Sequence, residues 1–126
     1  MRSRDMQNAQ RLRFAVMDIW DLRSLDVQPH QPQVLRSDDG AARAITIQLP
    51  AGEQLQEHEV HEHAYLVVID GEVQLTENGE SETAGPGTLS HWVPKERHTV
   101  TATSDARLLL ILAPWPGPGH PSNRSA

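Results

Sequence analysis

The sequence predicts an all-β domain, a barrel or sandwich of roughly eight short strands, and three observations lead there. From Gln33 onward, turn signals recur at strand-length intervals. The segments between them either alternate apolar with polar residues or run apolar for no more than a strand's length. No convincing helical period separates them. A chain of 126 residues suits one domain, and its hydrophobic content of 37% predicts a modest core.

The elements follow in order. Residues 1–28 form an N-terminal covering segment: the first dozen are polar, and "LRFAVMDIWDL" then places Leu12, Val16, Ile19, Trp20 and Leu22 at a spacing open to a short helix or an irregular cover. Pro29 and Pro32 stop regular structure. "QVLRS", an Asp-Asp-Gly turn and "ARAITIQL" read as a hairpin. "PAGEQ" breaks the chain, "AYLVVI" is the next strand, "DGE" turns, and "VQLTE" is the strand after it. "ENGES" carries a second hairpin signal in Asn78-Gly79. "TAGPG" breaks again, "TLSHWV" is a strand, "PKER" a turn, and "HTVTAT" alternates. "RLLLILA" is continuously apolar and short, as a buried strand is. The barrel thus occupies 29–113. Residues 114–126, with four prolines in thirteen, are expected to be a disordered or draped tail. A jelly-roll fits this order of strands.

Composition excludes several functions. There are no cysteines, hence no disulfides, thiolate metal sites or Cys nucleophile. Net charge is −6 and the only basic grouping, Arg2, Arg4, Arg11 and Arg13, is mixed with acids and amides, so nucleic acid is not an expected partner. The apolar runs are far below the ~20 residues of a membrane helix, and "MRSRDMQNAQRLR" lacks an apolar signal core. A cytoplasmic location is the default expectation.

Two spaced motifs run through the strand region. The first starts at Gly52, places His58 after five intervening residues, and closes at Gly71. The second starts at Gly87 and reaches His98, with fifteen residues between the two motifs. Both resemble, without gaps, the two linked motifs of the cupin superfamily, over about Gln33 to Ala113. The resemblance implies a cupin-type jelly-roll barrel. It also implies a homodimer, which would protect exposed edge strands. In metal-bearing cupins, two histidines and a glutamate of the first motif and one histidine of the second converge on a divalent ion. Here the second histidine and glutamate positions are Val60 and Ala64; in the second motif the proline, glycine and asparagine positions are Val93, Lys95 and Ala102.

The expected metal ligands are therefore His58 and His98, with His61 or His63 completing the set if a bulge turns one inward. A divalent transition metal (Zn, Fe, Ni, Mn or Cu) suits such imidazoles. Glu62 is a lesser candidate on the same turn, whereas Glu57 and Glu59 look solvated. His91 shares strand parity with Leu89 and Val93 and is a candidate for pointing into the barrel, although a packed histidine is the more ordinary reading. His30 and His120 lie in proline-rich segments and read as structural. Trp92 and Trp115 are candidates to line a pocket. Tyr65 is expected to face outward, leaving Ala64, Leu66 and Val68 inside.

Three functional readings follow: a metal-dependent oxygenase, isomerase or lyase; a metal-free ligand-binding or sensory protein; and a structural module whose site has degenerated. In the first two the partner is a small molecule. The substrate has no motif of its own.

Overall fold

Turn chemistry sets the strand ends. In the computed structural model, which describes residues 17–55 and 60–123, nine strands form: β1 (Gln33–Ser37), β2 (Ala41–Leu49), β3 (Gln54–Leu55), β4 (His63–Asp70), β5 (Val73–Glu77), β6 (Glu80–Ala84), β7 (Leu89–Trp92), β8 (Thr99–Ala102) and β9 (Ala106–Trp115). Asn78 and Gly79 both take positive φ, 53° and 81°, which is the two-residue turn that joins β5 to β6 without splaying them. Gly71, between β4 and β5, has φ 78°, and a Cβ there would lie 2.0 Å from the backbone oxygen of Asp105. Only glycine fits that crossing.

The strands pair antiparallel in two sheets, β1-β2-β9-β4-β7 and β3-β8-β5-β6. One cluster of buried side chains joins them: Ile47, Leu66, Val68 and Leu108 from the first sheet meet Val73, Ala84 and Val100 from the second. The continuously apolar "RLLLILA" is explained by position. It lies in β9, central in its sheet between β2 and β4, so residues of both parities lose solvent. Very short β3 was not visible in the sequence.

Of the N-terminal segment, 17–28 is described and takes the irregular of the two expected forms, with one turn at 22–24. Leu25 and Val27 are buried. Arg107, on β9, holds the segment: its Nη1 donates to the carbonyls of Leu22 (2.8 Å) and Leu25 (3.0 Å), and its Nε to Gln48 (2.7 Å). Residues 1–16, including Leu12 and Val16, lie outside the described residues.

The tail takes the draped form as far as it is described. β9 continues to Trp115, and Gly117 then packs so tightly on the β3–β4 connection that a Cβ would lie 2.0 Å from the carbonyl oxygen of His61. Its amide donates to Glu62 Oε2 at 2.7 Å. Composition pointed to disorder equally; this long-range contact supplies the anchor. Among the described residues, no helix is long and apolar enough to cross a membrane.

Candidate functional site

A cavity of about 60 Å³ lies between the sheets, walled by Leu55, Val60, Ala64, Leu66, Trp92, His98, Val100, Leu110 and Leu112. Its geometry follows from pairing register. On β4, Ala64 and Leu66 face in, and residues paired directly across an antiparallel ladder share a face. Ala64 pairs with Trp92 on one side and Leu112 on the other, while Leu66 pairs with Leu110. Opposite them, Val100 on β8 pairs with Leu55 on β3. Eight of these nine lining side chains are hydrocarbon or indole, and the ninth is His98.

His98 sits just before β8, at the end of a loop held by three hydrogen bonds. Val93 N–H donates to Glu96 Oε1 (2.8 Å), Glu96 N–H donates to the Val93 carbonyl (3.2 Å), and Lys95 N–H donates to the Val60 carbonyl (2.8 Å). Lys95 has φ 70°, so it retains the left-handed backbone expected of a glycine at this motif position. The loop presents the His98 ring flat against Trp92, with centroids 3.8 Å apart and planes within 6°. His98 Nδ1 is shielded from solvent. A pair of this kind is worth roughly 0.5–1.5 kcal/mol beyond burial and orients the imidazole. Glu77 reaches the same loop from β5. A hydrogen bond to Glu96 is the main reason its pKa lies above the ordinary value, with burial and the neighbouring charge adding to it.

The other expected ligands go elsewhere. His58, with Glu57 and Glu59, lies outside the described residues. His61 packs away from the cavity, edge-on to His120 with centroids 5.7 Å apart, and its Nδ1 is buried with no hydrogen-bond partner. Glu62, 1% exposed, receives the Gly117 amide. His63 lies on the outer face of the sheet, where its Nδ1 is 2.8 Å from His91 Nε2. His91 is thus outside the barrel, against its expected parity, because it pairs with outward-facing Tyr65. Leu89 and Val93, of the same parity, are 61% and 45% exposed. The strand "TLSHWV" is apolar in both parities, so alternation alone could not choose. Trp92 lines the cavity as expected, whereas Trp115 lies under the Arg43 guanidinium, 4.7 Å from its ring centroid, and against His120. His30 pairs with Glu53 at 2.6 Å, away from this site.

The family model for the cupin domain, Cupin_2, matches residues 45–113, 69 of 126 positions and so more than half of the chain. The chain is a cupin. No curated protein matches it. Its barrel is similar to that of an RmlC-like cupin with a double-stranded β-helix fold from Methanocaldococcus jannaschii, with TM-score 0.64, 19% identity and coverage of 80% of this chain and 94% of that one. An RmlC-like cupin from Desulfovibrio desulfuricans gives 0.64 and 17%, covering 76% and 95%. The Cupin_2 domain of an XRE family transcriptional regulator from Enterobacter cloacae gives 0.58 and 22%, covering 64% and 92%. At these identities the likeness is one of fold.

A cupin's metal would sit among side chains converging in the barrel. Catalytic divalent sites typically use three protein ligands. Among the described residues lining this cavity, only His98 is a ligand of that kind, and Val60 and Ala64 present hydrocarbon at two of the family's ligand positions. No group of three or more His, Asp or Glu side chains among the described residues is placed to hold an ion. Among the described residues this donor set, a single imidazole, does not fit a divalent metal; His58 lies outside them.

Proposed function

We propose that this cupin binds a small, mostly apolar molecule in its barrel and meets the molecule's one polar group with the His98 imidazole. The observation that carries this reading is the cavity wall: hydrocarbon at Val60 and Ala64, with His98 as the single ionisable side chain among the described lining residues. Apolar walls with a few convergent polar groups are the general form of a small-molecule site. Imidazole both donates and accepts hydrogen bonds, which suits a carboxylic acid, phenol or alcohol at one end of the ligand.

Size narrows the class. A cavity of about 60 Å³ is well below the ~150 Å³ that holds benzene in an engineered core, so it takes short aliphatic groups.

The test is a thermal-shift series of short-chain carboxylic acids, alcohols and small phenols on the full chain, with and without His98→Ala. A ligand at a hundred times its Kd stabilises by about 2.7 kcal/mol. The expected result is a shift that rises and then falls with chain length and is lost in His98→Ala. No shift from any compound, together with stabilisation by a reconstituted divalent metal, would overturn the reading.

A further inference from the structure

The sheet register extends the cavity's lining row by one residue. Trp92, Ala64 and Leu112 line the cavity; Ala64 pairs with both of the others, and Leu112 pairs in turn with Arg43 on β2. Residues paired directly share a face. Arg43, half-buried, therefore stands in the same inward row, at the end of the barrel where His98 stacks on Trp92. Its guanidinium lies over the Trp115 ring, 4.7 Å from the centroid. A bulge makes that contact: Arg43 pairs with Leu112 but Ala41 with Trp115, so β9 has one residue more than β2 over this stretch. The extra residue turns Trp115 to the face that Arg43 occupies. The indole is held in turn by His120, whose ring meets it edge-on at 4.7 Å. Among the described residues, no carboxylate pairs with Arg43.

Granted the small-molecule reading of the cavity, on which this rests, we propose that the ligand is a short aliphatic carboxylate and that Arg43 selects it. The aliphatic chain lies among the hydrocarbon side chains, and the carboxylate is shared between Arg43 and His98. A half-buried guanidinium resting on a ring face favours an anion, because a carboxylate replaces the ring contact with two parallel charge-assisted hydrogen bonds. The contact with Trp115 is a cation-π attraction, weak enough to give way to that pairing. Reach is sufficient. An arginine side chain is longer than the ~4.8 Å between neighbouring strands, so the guanidinium can leave Trp115 and cross Leu112 toward Ala64. The alanine keeps the row low at that point, between Leu112 and Trp92. A neutral amide of the same length fills the cavity equally well but forms no ion pair with Arg43.

The experiment is an NMR titration of the full chain with the straight-chain carboxylates from acetate to hexanoate, each beside its neutral amide, at constant neutral pH and ionic strength. The best carboxylate should bind about tenfold or more tighter than its amide, the size of a charged hydrogen bond. Arg43→Gln should remove that preference, weakening the carboxylate by about the same factor and leaving the amide almost unchanged. His98→Ala should weaken both. In the unmutated protein the Arg43 Nε–H signal, shifted by the Trp115 ring, should move on adding the carboxylate and stay in place with the amide. That readout needs no variant to fold.

Equal binding of carboxylate and amide would overturn the proposal while leaving the cavity reading in place. A carboxylate preference that survives Arg43→Gln would do the same, as would an Arg43 signal unmoved at saturation. No binding by any of these compounds would overturn the proposal and count against the cavity reading as well.

Discussion

Lys95→Gly is the sharpest test of how the His98 loop is built. Lys95 holds φ 70° while its amide bonds the Val60 carbonyl. A side chain in the left-handed region costs roughly 1–2 kcal/mol. Glycine removes that cost but adds unfolded-state entropy of roughly 0.5–1 kcal/mol. The net expectation is a gain of about 0.5–1 kcal/mol, or roughly 2–5 °C in Tm for a chain of this size. Urea unfolding monitored by tryptophan fluorescence measures it, since Trp92 stacks on His98 at the end of this loop. Lys95→Ala is the control. It removes the same lysine side chain but keeps a Cβ, so it should gain little. Equal gains from alanine and glycine would assign the effect to the lost lysine, and a loss of stability in Lys95→Gly would refute the strain argument outright.

Other expectations follow from single contacts. Gly117→Ala drives a Cβ to 2.0 Å from the His61 carbonyl oxygen and should cost about 1–3 kcal/mol. The loss is capped at the tail's docking energy, and limited proteolysis should then cut near Gly117. Gly85→Ala, where a Cβ meets nothing within 4 Å, should leave Tm and proteolysis almost unchanged. Ala64→Val fills part of the cavity and should raise stability by about 0.5–1 kcal/mol while removing ligand-induced thermal shifts; retained shifts would place the ligand elsewhere. Glu77 binds its proton more tightly in the folded state. Its contribution to stability is therefore present below the ordinary carboxyl pKa and is lost as pH rises through the raised value. Carbon-detected NMR titration should show this raised pKa, and Glu96→Gln should change it.

The outer-face histidines and the cavity make separate chemical demands. Among the described residues the cavity presents one imidazole, His98, in a hydrocarbon wall. The outer pair instead joins its two facing nitrogens in a hydrogen bond on the sheet's outer face. The histidine-rich segment of this chain serves different neighbours within three residues: His61 meets the tail, Glu62 receives its amide, and His63 meets β7.

Local chemistry was enough to predict the strands other than β3, because Asn78-Gly79, Gly71 and the alternating "ARAITIQL" act over a few residues. The same holds for the apolar character of Val60 and Ala64, two motif positions whose side chains cannot ligate an ion wherever the chain goes. Tyr65 outward and Ala64, Leu66 and Val68 inward followed from simple alternation. The face taken by His91 did not, since Leu89 and Trp92 are apolar on opposite parities and only pairing with β4 chooses between them. Nor did the paths of His61 and His63, or the order of the tail. These depend on contacts such as Gly117 to Glu62, 55 residues apart. A local pattern carries no information about which distant partner will satisfy a buried polar group. Packing two sheets against each other decides that, by leaving one partner within reach.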